Sequence, residues 1–97
     1  MTIEDSRQAI DIVDRQIIAL LAERRRIVAD LAKRKQSLGL PAVDPEREQA
    51  LQGHWRRAAE EFKFPTEVAL AVLEALLAPS RALVQSIFER DGGSTKG

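Results

Sequence analysis

An apolar stripe at helical spacing runs through the first third of the chain. It begins near Asp5 or Ser6, which are candidate N-caps, and ends near Leu38, where Gly39 and Pro41 predict a stop. A helix of about 34 residues is ~50 Å long, whereas a compact chain of this size has a radius of gyration near ~13 Å. The remaining residues are too few to cover such a rod, so we predict an intertwined, two-fold symmetric helical homodimer.

Three long cations interrupt this stripe: Arg7, Arg24 and Lys35. A buried charge costs several kcal/mol unless it is paired, so each side chain either reaches water at the edge of the stripe or serves a ligand. Because all three lie on the same stripe, we interpret them as a pocket for an anion.

The spacing of the cations predicts which of them share a site. Arg24 and Lys35 are eleven residues apart, which is ~16 Å along a helix and ~20° around it, so both side chains can reach one small ligand. Arg7 lies seventeen residues before Arg24, which is ~25 Å and too far for the same ligand. In an antiparallel dimer, Arg7 would enter the site of the partner chain.

The rest of the chain predicts two shorter helices and a tail. Asp44 and Pro45 start the second helix as its N-cap and first helical residue, and residues 63–65 separate it from the third. Residues 91–97 have nothing to bury and are expected to be a flexible tail. We therefore predict an all-α fold of one long and two shorter helices, in one domain over residues 1–90. The expected core faces of the shorter helices are Leu51, Trp55, Ala58, Ala59 and Phe62, then Val68, Val72, Leu73, Leu76, Leu77, Leu83, Ile87 and Phe88.

Composition excludes several classes of function. The 97 residues contain no Cys and one His, which argues against a disulfide framework, thiolate chemistry and a His-based metal site. With 15 basic and 15 acidic residues the formal charge is zero, so we expect neither nucleic acid nor a membrane as a partner. There is no signal-peptide run and no apolar stretch approaching about 18 residues, and we expect a cytoplasmic location.

A second polar cluster, Asp44, Arg47 and Glu48, lies at the start of the second helix. Asp44 is explained by its capping role. Arg47 is unfavourable beside the positive end of the helix dipole by a few tenths of a kcal/mol, so it is expected to serve an anion or an acidic partner. Glu48 could accept a hydrogen bond from a hydroxyl group of a ligand.

These residues together resemble the all-helical chorismate mutases. The resemblance runs without a gap through Arg7 to Asp14, Leu20 to Arg25, Lys35, Asp44 to Glu48, and Ser80. Each motif alone is weak, but their order and spacing are specific. The resemblance implies a dimeric isomerase with two identical sites, which rearranges chorismate to prephenate in the biosynthesis of Phe and Tyr without a cofactor or a metal.

The resemblance also implies roles for the cations. Arg7 from the other chain and Arg24 would bind the carboxylates of the substrate, with assistance from Ser80. Lys35 would donate to the ether oxygen, where negative charge grows as the C–O bond breaks.

For the second cluster, the resemblance implies contact with the ring of the substrate. Glu48 and the backbone at Asp44 would hold the ring hydroxyl. Arg47 would order that side of the pocket.

One position departs from the family pattern. Family members usually carry Gln, sometimes Glu, four residues after the matched Ser80, and this chain has Val84. Loss of one preorganised donor to an oxyanion costs about 3 kcal/mol. Gln85 is the next residue, ~100° further round an ideal helix. A kink or a wide turn at Pro79 could bring Gln85 toward Lys35 as a replacement donor.

The residues leave two alternatives to chorismate mutase activity open. The first is the same fold acting on a different substrate, because relatives with the same cations eliminate pyruvate from isochorismate or rearrange an amino-deoxy analogue of chorismate. The other alternative is a weakly active or non-catalytic helical dimer that needs a partner protein, because Val84 replaces the usual Gln.

Overall fold

A computed structural model describes residues 1–94, and within them the chain is all-α, without a β-strand. Helix α1 spans Ile3–Ser37, α2 spans Pro45–Glu61 and α3 spans Thr66–Ser94. Their lengths are 35, 17 and 29 residues. The predicted arrangement of one long and two shorter helices is therefore confirmed.

Helix α1 begins earlier than the sequence suggested. Its N-cap is Thr2, and the predicted caps at Asp5 and Ser6 are wrong. The Thr2 hydroxyl accepts a hydrogen bond from the Asp5 N–H at 3.0 Å, and the Asp5 carboxylate accepts one from the Thr2 N–H at 3.1 Å. Asp5 is thus the acidic third residue of a capping box, and the backbone hydrogen bond from Thr2 lowers its pKa. The predicted stop is confirmed, with Gly39 at φ +71°.

The predicted start of α2 is confirmed in detail. Asp44 is the N-cap and Pro45 the first helical residue. The Asp44 Oδ1 accepts a hydrogen bond from the Arg47 N–H at 3.1 Å. The break over residues 63–65 is also confirmed, and the chain turns there through Lys63 at φ 53°.

Helix α3 is the central element of the fold. It packs against both α1 and α2, whereas those two helices do not pack against each other in residues 1–94. Leu73, on α3, is the one large side chain in this part of the chain that is fully buried. The other core residues are Ala32, Ala59, Ala69, Leu77 and Ile87, half of the whole set of six being alanines. The core is therefore small and follows α3.

Most of the apolar stripe on α1 has no cover within one chain. Ile10, Val13 and Ile17 are 59%, 51% and 48% exposed. The chain is elongated, with principal extents of 62 × 26 × 16 Å and a radius of gyration of 17.4 Å, against ~13 Å for a compact domain of this length. Within one chain, four of the expected core residues also face outward: Ala58, Phe62, Val68 and Val72, with Phe62 74% and Val68 47% exposed.

Helix α3 continues to Ser94. The domain over residues 1–90 and the tail over residues 91–97 stay predictions. Residues 95–97 of the predicted tail lie outside the described residues. None of the three helices, over the part of the chain that is described, has the length and apolar character needed to cross a membrane.

Candidate active site

An open cavity of about 670 Å³ lies between the C-terminal half of α1, the start of α2 and the middle of α3. Its apolar wall includes Ile27, Leu31, Leu51 and Leu77. Its lining also includes every residue that the sequence predicted for the site except Arg7, namely Arg24, Lys35, Asp44, Arg47, Glu48, Ser80, Val84 and Gln85. The fold thus brings together residues from three separate stretches of sequence.

Arg7 does not lie at this cavity. It is an exposed residue on the first turns of α1, seventeen residues before Arg24 on the same helix. At about 1.5 Å per residue the two Cα atoms are ~25 Å apart. One chain therefore leaves Arg7 remote from its own cavity, and its entry into the site of a second chain stays a prediction.

Arg24 is held in place across the interface between α1 and α3. Its Nη1 donates a hydrogen bond to the Ser80 Oγ at 3.2 Å, and both side chains are partly buried. A guanidinium has five N–H donors, so this bond leaves most of them for an anion in the cavity. Ser80 consequently orients the guanidinium of Arg24.

Lys35 lies at the other end of the cavity, in the last turns of α1. Its Nζ donates to the backbone carbonyl oxygen of Ala42 at 3.5 Å, which is a long and weak hydrogen bond. The ammonium carries three protons, so it can donate to a ligand as well. Ala42 belongs to the connection between α1 and α2, which therefore steadies the side chain.

Glu48 is engaged by a residue that sequence reasoning missed, Arg81. The Arg81 Nε donates to Glu48 Oε2 at 2.8 Å, and Nη2 donates to Oε1 at 2.6 Å. These hydrogen bonds lower the pKa of Glu48 and raise that of Arg81. Arg81 also lines the cavity. Its position directly after Ser80 and three residues before Val84 was the sequence signal that could have identified it as a site residue.

Asp44 and Arg47 lie at the same end of the cavity as Glu48. The Asp44 carboxylate caps α2 through the Arg47 N–H, which agrees with its predicted capping role. The side chain of Arg47 is exposed and contributes a further cation to the lining.

Val84 and Gln85 both line the cavity, although α3 remains an α-helix through Pro79. The wide turn at Pro79 that could have rotated Gln85 is therefore absent. A helix can lose the one backbone hydrogen bond that Pro removes and still continue. The Gln85 Nε2 donates to Glu89 Oε1 at 3.1 Å on the exposed side of the helix.

The lining carries more cations than anions. Arg24, Lys35, Arg47 and Arg81 face Glu23, Asp44 and Glu48, and the Arg81–Glu48 pair offsets one charge of each sign. In residues 1–94 no three His, Cys, Asp or Glu side chains are grouped as metal ligands would be. The arrangement suits a small anion that both Arg24 and Lys35 can reach.

Comparison with known proteins identifies the family. The family model described as chorismate mutase type II matches residues 6–85. The chain belongs to the type II chorismate mutases. It is 30% identical over 90 residues to the chorismate mutase of Methanocaldococcus jannaschii. The matched stretch covers 93% of this chain and 91% of that protein. The family predicted from the sequence is confirmed.

Two further relatives of this chorismate mutase domain are much longer proteins. The T-protein of Enterobacter agglomerans is 35% identical over 74 residues, and the T-protein of Haemophilus influenzae is 35% identical over 80 residues. These matches cover 76% and 82% of this chain but only 20% and 21% of the T-proteins. The chain thus spans about a fifth of each T-protein, so the likeness concerns this domain alone.

Proposed function

We propose that the chain is an isomerase that rearranges chorismate to prephenate in aromatic amino-acid biosynthesis. The observation that carries this proposal is that Arg24 and Lys35 line the same cavity in a chain of the type II chorismate mutase family. The reaction breaks the C–O bond of an ether and forms a C–C bond in one pericyclic step. It requires a compact substrate conformer and donors at the oxygen where charge develops.

Arg24 is proposed to select the reactive conformer of chorismate. A guanidinium binds a carboxylate through two parallel hydrogen bonds, which fix the direction of the carboxylate as well as its position. The hydrogen bond to Ser80 already restricts the rotation of Arg24. Little side-chain freedom therefore remains to be lost when the substrate binds.

Lys35 is proposed to stabilise the breaking C–O bond. As this bond lengthens, negative charge grows on the ether oxygen, and an ammonium donor there is worth more in the transition state than in the ground state. Gln85 is proposed as the second donor. Its support is that it lines the same cavity as Lys35, and it must exchange its contact with Glu89 for the substrate.

The part of the cavity at the start of α2 is proposed to hold the ring of the substrate. Glu48 would accept a hydrogen bond from the ring hydroxyl, the backbone at Asp44 would help to hold the same hydroxyl, and Arg47 would order that side. The support for this placement is that all three residues line the cavity at the start of α2. Val84 is proposed to contribute apolar contact from α3.

The functional unit is proposed to be a homodimer in which Arg7 of each chain enters the other chain's site. The support is the uncovered apolar stripe on α1, where every residue from 7 to 20 is exposed in a single chain. Burial of this stripe is favourable by about 25 cal/mol per Å². The cytoplasmic location expected from the sequence stays a prediction.

The choice between chorismate and the alternative substrates can be measured directly. Purified protein is incubated separately with chorismate, isochorismate and 4-amino-4-deoxychorismate while NMR follows the products. We expect prephenate from chorismate, and a loss of about a hundredfold or more in rate for Lys35→Met because the ether-oxygen donor is removed. Lys33→Met, which removes an exposed lysine on the same helix, is the control and should keep the rate. Consumption of another substrate with no prephenate from chorismate would contradict the proposal.

The sharing of one site by two chains predicts complementation. Arg7→Ala and Arg24→Ala should each lose turnover but keep their helical content. After subunit exchange in an equal mixture, half of the dimers are mixed and each mixed dimer regains one intact site, so about a quarter of the wild-type activity should return. Arg24→Ala mixed with Lys35→Met is the control and should stay inactive. Arg24 and Lys35 of one chain belong to the same site, so each site of a mixed dimer carries one of the two substitutions. Mixed dimers of the first pair that remain inactive would refute the placement of Arg7.

The role of Gln85 can be separated from that of Val84 by two substitutions. If Gln85 is the second donor, Gln85→Ala lowers kcat by about tenfold or more, and Val84→Gln changes it little. If the second donor must instead stand at position 84, where family members carry Gln, Gln85→Ala leaves kcat unchanged and Val84→Gln raises it. The measurement is kcat on chorismate for both variants, with Glu89→Ala as the control for loss of the surface contact of Gln85.

A further inference from the structure

The paired side chains of Arg81 and Glu48 connect α3 to α2 at the rim of the cavity. We propose that Arg81 is a positioning residue, which fixes the carboxylate of Glu48 in the orientation that accepts a hydrogen bond from the ring hydroxyl of the substrate. This inference rests on the proposed function, since it assigns a specificity role to a residue of that same site.

The geometry of the pair supports a positioning role. Two parallel hydrogen bonds, at 2.8 and 2.6 Å, join the Nε and Nη2 of Arg81 to the two oxygens of Glu48. Such a fork fixes the plane of the carboxylate and its rotation about the last bond of the side chain. Each carboxylate oxygen has a second lone pair, so Glu48 remains able to accept from a hydroxyl. Without Arg81, the carboxylate would rotate freely in the cavity.

Arg81 itself is held from its other side. Its Nη1 lies 3.8 Å from Glu74 Oε1, on the same helix two turns earlier. This contact is too long for a hydrogen bond, and the Glu74 side chain is 65% exposed. Glu74 can therefore be changed as a matched control, because it removes a carboxylate from Arg81 without touching the cavity.

Exposure argues against a purely structural role for the pair. The side chains of Arg81 and Glu48 are 48% and 28% exposed. Ion pairs with this exposure contribute little to stability, because water and salt screen them. The pair therefore organises the rim of the cavity more than it holds α2 on α3.

The charged groups around Glu48 come from all three helices. They are Arg24, Lys35 and Glu23 on α1, Asp44 and Arg47 at the start of α2, and Arg81 with Glu74 on α3. Hydrogen bonding from Arg81 is the largest influence on the pKa of Glu48 and lowers it. Glu48 thus stays ionised, and able to accept, to a lower pH than an isolated carboxyl group would.

The test uses two bicyclic ether dicarboxylates that mimic the chair transition state, one with the ring hydroxyl and one without it. Calorimetry gives the Kd of each for the wild type, Arg81→Met, Arg81→Lys and Glu74→Gln. We expect the wild type and Glu74→Gln to prefer the hydroxylated mimic by about tenfold, which is the size of one oriented charge-assisted hydrogen bond. Arg81→Met should lose this preference while keeping its affinity for the mimic without the hydroxyl. Arg81→Lys should lose most of it as well, because an ammonium has charge but no fork.

A pH series adds a readout that a structural role would not move. Because Arg81 lowers the pKa of Glu48, the preference for the hydroxylated mimic should persist to low pH in the wild type. In Arg81→Lys, any remaining preference should disappear at a higher pH, since the pKa of Glu48 rises when the fork is lost. An Arg81→Met protein that retains the full preference would overturn the inference, and so would a wild type that has none.

Binding and turnover separate this inference from the proposed function. A protein whose preference for the hydroxylated mimic depends on Arg81, but which does not turn over chorismate, would contradict the proposed function and support the positioning role. A protein that turns over chorismate with no change of preference in Arg81→Met would contradict the positioning role alone. In a Glu48→Gln background, Arg81→Met should cause no further loss of preference, because Arg81 acts through Glu48.

Discussion

The uncovered apolar face of α1 is the constraint on which the rest of the structure depends. The helix has 35 residues and is ~52 Å long, and only Ala32 along it is fully buried. Helix α3 covers its C-terminal part, where the cavity lies, and leaves its N-terminal part to water. Exposed apolar patches of this extent indicate an interface, and a second copy of the chain would supply the matching surface.

The length of α1 also determines the chemistry of the site. One rigid helix carries Arg24 and Lys35 at opposite ends of the same cavity, so their separation is fixed by helix geometry rather than by loops. Helix α3 adds Ser80, which orients Arg24, and Arg81, which orients Glu48. Arg24 and Glu48, two groups proposed to bind the substrate, are therefore held by partners on a neighbouring helix, as preorganised stabilisation of a transition state requires.

Local rules were sufficient for most of the fold and part of the site. Asp44 followed by Pro45 predicted the start of α2, and helical spacing predicted that Arg24 and Lys35 share a cavity. Thr2 was missed because Asp and Ser are stronger N-cap residues than Thr, whereas the reciprocal hydrogen bonds between Thr2 and Asp5 fix the cap at Thr2.

Contacts between distant residues could not be read in the same way. Arg81 is 33 residues from Glu48, and their pairing depends on how α2 packs against α3, which no local pattern encodes. Phe62 was assigned to the core by its apolar character, but its exposure depends on which neighbours reach it.

The central claim is that one chain is incomplete and that two copies form the site, and sedimentation equilibrium tests it most directly. One chain has a mass of 10.8 kDa, and the account predicts a particle of twice that mass at micromolar concentration. The thermal unfolding midpoint of that particle should rise with protein concentration, because dissociation accompanies unfolding. A folded particle of 10.8 kDa that turns over chorismate at the same concentration would contradict the account.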